Sequence, residues 1–210
     1  MSFIKDPGSI ETESMRIIRS KLKLSWPENE LPVVQRLIHT SGDLSLENVI
    51  AIHPQAIQAG LQALKQGADI ITDVEMVKTG ISKPNMERLG GKVECFLNDP
   101  HVPQQARDWG ITRSMTAFRL NAANLAGAIV AVGNAPTALF EVLRLAEDPA
   151  FRPALVIGIP VGFVGAAESK ELLWQRQDLP SITVKGSRGG SPLAVAAVNA
   201  LIYVAINRTI

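Results

Sequence analysis

From Ala68 onward, short apolar runs alternate with helix-like stretches, and this alternation restricts the fold more than any other feature of the chain. Strand-like runs fall at 68–73, 93–97, 128–132, 154–159 and 182–184. Helical patterns lie between and after them: 103–125, broken around Gly110, then 136–147, 167–174 and 192–206. Strands interleaved with helices need crossover connections, which make the strands parallel and place the helices on the faces of one sheet. The expectation is an α/β fold, a three-layer α/β/α sandwich around a parallel sheet of about five strands. Such sheets bind ligands beyond the carboxyl ends of their strands. Those ends fall at 73–80, 98–101, 133–137, 160–170 and 185–191. The earlier residues read as helices over 9–24, from 32 to His39, and over 54–66. Ser9 and Asp43 suit caps, and Gly42 and Gly67 suit stops. The 210 residues are read as one domain, with N-terminal helices 1–66 packed on an α/β core at 67–210.

Two of the strand ends are glycine-punctuated. One is Gly158-Ile159-Pro160-Val161-Gly162-Phe163-Val164-Gly165-Ala166-Ala167-Glu168-Ser169-Lys170, and the other is Lys185-Gly186-Ser187-Arg188-Gly189-Gly190-Ser191. A strand-to-helix turn built from glycine leaves backbone N–H groups uncovered, and both turns carry cations, so together they read as a cradle for an anionic ligand. Neither is a Walker loop or a dinucleotide fingerprint, and no Gly-x-Ser-x-Gly elbow occurs. The anion binding must be local, because 21 basic residues face 20 acidic ones. That balance, with 5% aromatics, argues against nucleic acid as a partner. The apolar runs are interrupted before membrane-spanning length, and Met1–Asp6 lacks the pattern of a secretory leader, so a cytoplasmic protein is expected. The single cysteine, Cys95, reads as a buried small residue in a strand.

Three histidines are available, with no metal-site spacing among them, and no metal or cofactor is expected. His53 and His101 read as turn residues. His39 ends a helix ahead of Thr40-Ser41-Gly42-Asp43. By position alone it suits a partner for the helix dipole, and an imidazole there can also exchange a proton near neutral pH. Asp73-Val74-Glu75-Met76-Val77-Lys78-Thr79-Gly80 offers carboxylates, a lysine and a hydroxyl at a strand end, as a functional rim or a solvated loop. Gly133-Asn134-Ala135-Pro136-Thr137 is a sharp turn that would aim Asn134 and free N–H groups at the crevice.

Four of these segments together resemble the precorrin-8X methylmutase family of corrin-ring assembly: Asp73–Gly80, Gly133-Asn134-Ala135-Pro136-Thr137-Ala138-Leu139, Gly158–Lys170 and Gly186–Ser191. The resemblance extends to Ser14, Arg16 and the Arg36–His39 stretch, nearly the whole chain. It implies a flavodoxin-like sandwich acting as a homodimer on a precorrin-8X-type tetrapyrrole, with or without cobalt. The reaction it implies moves a methyl group between adjacent ring C carbons without a cofactor. His39 then becomes the catalytic residue. Substrate-binding roles are implied for Ser14, Arg16, Arg36, Asp73, Met76, Val77, Lys78, Thr79, Gly80, Arg113, Gly133, Asn134, Thr137, Gly162, Phe163, Val164, Lys170, Gly186, Arg188 and Gly189. The alternatives are a tetrapyrrole carrier without turnover and a doubly wound nucleotide-binding enzyme.

Overall fold

The computed structural model describes residues 5–208. Met1–Ile4, where the absence of a leader was read, and Thr209–Ile210 lie outside them. The strands are β1 (Ile50–Ile52), β2 (Ile70–Thr72), β3 (Val93–Cys95), β4 (Ile129–Val132), β5 (Leu155–Gly158) and β6 (Ser181–Val184). They form one sheet in the order β1-β6-β5-β4-β2-β3. The five expected strands pair in parallel, as in the register Ile70 with Ile129 and Ile129 with Leu155. The sixth, β1, was not expected. It runs antiparallel along β6, with Ile50 opposite Val184 and Ile52 opposite Ile182. Three apolar residues amid a helical region carry no period that could distinguish a strand.

Helices cover both faces because successive strand residues point to opposite sides. Ile70, Ile129, Ala131, Leu155 and Ile157 pack with α2 (Leu31–Ser41), α3 (Ala56–Lys65) and α10 (Ser191–Ala205). Their neighbours Ile71, Val130, Val132 and Val156 pack with α7 (Arg113–Leu120), α8 (Pro136–Leu145) and α9 (Ala166–Gln175). The central helix α10 is buried along most of its length, through Ala194, Ala197, Ala200, Leu201 and Ile202. Its sequence is correspondingly apolar on nearly every side, as a helix without a solvent face requires.

Several boundaries differ from the sequence reading for local reasons. The first helix, α1 (Pro7–Lys21), starts early because Asp6 is its cap: one Asp6 oxygen accepts from both the N–H and the hydroxyl of Ser9, each at 2.7 Å. The 73–80 segment is largely helical, as α4 (Glu75–Gly80), followed by α5 (Lys83–Leu89). Gly110, at φ 64°, separates α6 (Val102–Trp109) from α7. Gly42, also at φ 64°, ends α2, and Asp43 caps the 3-10 turn Leu44–Val49.

The link between α1 and α2 is pinned by Glu47, a buried carboxylate that accepts from the N–H groups of Lys23 (3.1 Å) and Leu24 (2.8 Å) and from the Trp26 indole (3.2 Å). Burial opposes its charge, but these donors outweigh it and hold the carboxyl below the ordinary glutamate range. The lone thiol, Cys95, is buried on the edge strand β3, and that burial pushes its pKa up.

One contact fixes the height of the last glycine turn over the sheet. A Cβ on Gly189 would stand 2.4 Å from the Pro160 carbonyl oxygen and 2.5 Å from that of Ile159. Backbone cannot retreat as a flexible side chain can. Gly189→Ala is therefore expected to cost about 1–3 kcal/mol, seen as a lower thermal midpoint.

Candidate functional site at the sheet rim

The chain leaves β2 toward β3 on one side, and β4 lies on the other, so the crevice between β2 and β4 is where a ligand would ordinarily sit. Here Asp73 fills it. One of its oxygens accepts from Gly133 N–H at 3.0 Å, and the other from Asn134 and Ala135 N–H, both at 2.8 Å. The side chain is buried; burial pushes its pKa up, while the three N–H bonds favour the carboxylate. The N–H groups expected to be free for substrate are thus taken within the chain. Asp73 and Gly133 shape the rim and present nothing to a ligand, and Val77, fully buried, contributes packing alone. Asn134 is exposed at the same turn.

The glycine turns are likewise stitched to each other rather than left bare. Gly162 N–H donates to Ser187 O at 3.2 Å, and Gly190 N–H to Ile159 O at 2.8 Å. Gly162 and Gly186 adopt positive φ, 144° and 78°. Beyond Gly162, Phe163 and Val164 project into solvent, 96% and 89% exposed, which suits a surface waiting to be covered. Lys170 does the opposite. Its side chain is fully buried, and its Nζ donates to Arg188 O at 2.6 Å. Lacking solvent access, it is in no position to grip a substrate arm. Burial lowers its pKa to about 8.

Arg188 reaches over the rim. Its guanidinium pairs with Asp43 at 2.8 Å and donates to Ser45 Oγ at 3.1 Å, joining the turn after α2 to the loop after β6. Beside this clasp lies a cleft of about 400 Å³, lined by Thr40, Ser41, Leu46, Val161, Gly189 and Pro192 among others. On the other side of the Thr40–Asp43 turn, His39 lines a smaller groove of about 240 Å³ with Ser14, Ile17, Ile38 and Leu44. His39 is exposed in the last turn of α2. The fold therefore brings His39, Ser14, Arg188 and Gly189 around one turn, although they are distant in sequence.

Arg36 stands apart, in a partly buried cluster. It pairs with Glu11, which also pairs with Arg208, and both arginines lie over the Tyr203 ring, at 5.4 and 4.4 Å. Burial works against ionised Glu11, but Arg36, Arg208 and the nearby His39 together hold its carboxyl below the ordinary range. Arg16 is exposed and paired with Glu13 on its own helix.

A second group gathers over β4, β2 and β3. Arg113 donates to Leu97 O, past β3, at 3.1 Å, and Thr137 meets Thr112 at 3.0 Å. Lys78 faces Glu94 at 3.7 Å, Met76 is exposed, the Thr79 hydroxyl donates to Glu75 O, and Gly80 lets α4 approach Val195 of α10. Four strand spacings separate β6 from β3, about 19 Å. Among the described residues, no group of three or more His, Cys, Asp or Glu could hold a metal ion, and no helix is long and apolar enough to cross a membrane. His53 is buried, with Nε2 3.2 Å from Gln177 O and Nδ1 accepting from Gln55 N–H.

The sequence reading missed Glu11, Arg208, Tyr203 and Ser45. Only the Asp43–Ser45 turn left a local trace, its cap pattern.

Compared with known proteins, residues 9–204 match the family model of precorrin-8X methylmutase. The chain is 41% identical over 200 residues to a cobalt-precorrin-8 methylmutase of Priestia megaterium, covering 95% of this chain and 88% of that one. It is 40% identical to a precorrin-8X methylmutase of Pseudomonas aeruginosa, covering 96% and 97%. A solved precorrin-8X methylmutase from Thermus thermophilus superposes with a TM-score of 0.85 at 35% identity, over 96% of this chain and 100% of that one.

Two outcomes follow from the buried charges. Asp73→Asn turns an acceptor into an amide facing N–H donors and should lower stability by about 1–3 kcal/mol, measured by urea unfolding. Lys170 loses its proton near pH 8 when folded but near 10.5 when unfolded, so in that window the unfolded chain binds more protons. This group therefore makes stability rise as pH climbs from about 8 toward 10.5. Lys170→Met should flatten that part of the stability profile.

Proposed function

This chain belongs to the precorrin-8X methylmutase family, and from that premise we propose that His39 handles the proton that accompanies methyl migration in its active site. The protein is an isomerase of cobalamin biosynthesis. It moves a methyl group between adjacent ring C carbons of precorrin-8X or cobalt-precorrin-8, giving hydrogenobyrinate or cobyrinate. One carbon–carbon bond breaks and another forms, with no net change in composition, so no oxidant or reductant is consumed. The protein must hold one conformer and set the protonation of the conjugated ring, the work of positioning and of one acid–base group.

The observation that carries the role of His39 is its position: exposed at the carboxyl end of α2, in the same groove as Ser14, one turn from the Arg188 cleft. A carboxylate arm entering the cleft would compete with Asp43 for the Arg188 guanidinium. A charge-assisted bond of that kind contributes about 1.5–3 kcal/mol. Thr40, Ser41 and the Gly162–Val164 loop would border the ring. Arg113, about four strand spacings away, and Asn134 and Thr137, about two, would take more distant arms of the same ring or serve a partner copy's ring.

The wider reading is of one domain with flavodoxin-like topology, supported by the order of the five parallel strands, in which the first strand lies second from the edge. We read it as a cytoplasmic homodimer; the solvent-facing Phe163 and Val164 support a second copy covering the rim.

His39→Ala should abolish turnover, followed as the change in visible absorbance, while the thermal midpoint and product binding stay near wild type. Turnover at the wild-type rate would remove His39 from the mechanism. Binding with an unchanged spectrum in the wild-type protein would point instead to a carrier.

A further inference from the structure

We propose that Lys170 is a positioning residue for substrate capture: from beneath the rim it holds the Arg188 peptide, and so keeps the Arg188 guanidinium over the cleft. The proposal rests on the reading of Arg188 as a holder of a carboxylate arm. Lys170 belongs to α9, in the helical layer built around Leu173, whereas Arg188 precedes α10, at the centre of the other layer. The lysine stem therefore links the first turns of α9 to the loop between β6 and α10. Among the described residues, the Arg188 carbonyl is its hydrogen-bond partner and no carboxylate pairs with it.

A buried ammonium without a counter-charge is a costly way to fill space, since an apolar side chain would fill it without desolvating a charge. What lysine supplies at this point is reach and a donor. The residues on either side of Arg188 are bonded to the neighbouring loop, Ser187 O by Gly162 N–H and Gly190 N–H to Ile159 O, while the Arg188 carbonyl is held by Lys170. Arg188 is thus secured at two points: its carbonyl by Lys170 at 2.6 Å, and its guanidinium by Asp43 at 2.8 Å. When an arm displaces Asp43, the carbonyl bond from Lys170 remains, beside the weaker 3.1 Å contact of the guanidinium with Ser45 Oγ. Without the lysine the Arg188 carbonyl loses its donor, and the local shift that re-satisfies it moves the guanidinium off the arm.

The test is a double-mutant cycle on steady-state turnover of cobalt-precorrin-8, with Lys170→Met, Arg188→Gln and the pair. Lys170→Met should raise KM about ten-fold, the equivalent of about 1.4 kcal/mol, with kcat within about two-fold of wild type. In the Arg188→Gln background the same substitution should change KM by less than about two-fold, because the group it positions is gone. Additive effects, or a fall in kcat with KM unchanged, would overturn the proposal. A raised KM for Arg188→Gln with an unchanged KM for Lys170→Met would overturn it alone and leave the cleft reading standing. An unchanged KM for Arg188→Gln would overturn both. Should Lys170→Met fail to fold, Lys170→Gln, with a shorter donor, is expected to give the same KM effect and the same loss of effect beside Arg188→Gln; additivity there would be equally fatal.

Discussion

A carboxylate with no cationic partner among the described residues anchors the rim of this sheet. Asp73 ends β2 and collects three N–H groups from the turn that follows β4, across the place where the strand order reverses. In many open sheets a bound ligand closes that gap. Here the chain closes it with its own anion, so the turn carrying Asn134 and Thr137 is fixed before any substrate arrives. The open concavities are displaced from that gap. The cleft and the groove lie instead around the carboxyl end of α2, beside the loop after β6.

The same economy of backbone governs the two glycine turns. They hydrogen-bond to each other, and Gly189 lies so close to the backbone at 159–160 that the two loops behave as one layer. On the proposed reading, recognition of an anionic macrocycle falls to a few side chains carried on that layer. Arg188 is held against Asp43 in the absence of substrate, a pairing of two half-exposed groups that is worth little by itself and is easily exchanged. On the proposed reading, Asp43 stands in for a substrate carboxylate and keeps the arginine aimed.

Much of the architecture was legible in the sequence, because parallel strands in this fold are buried on both faces and read as apolar runs between helical periods. All five came out where expected. The sixth did not, since Ile50–Ile52 is too short to show a period and lies among helices. The 73–80 segment was read by its polar residues as a rim, while its backbone makes a short helix that buries Val77. His39 was visible as a helix-ending imidazole, but its meaning came from family resemblance, not from spacing. The free N–H groups were misjudged because a glycine turn tells nothing of what lies opposite it: Asp73 is 60 residues from Gly133, and Asp43 is 145 from Arg188. The sequence reading counts Lys170 among the cations that would hold a substrate arm, and only packing reveals it as interior.

The solitary thiol gives the molecule an internal clock. Cys95 lies on β3, the outermost parallel strand, shielded from solvent and held protonated by its surroundings. A thiol-specific reagent reaches that sulfur when local opening at this edge of the sheet uncovers it. The pace of alkylation therefore reports how often this margin of the sheet breathes, residue-specifically and without any engineered label.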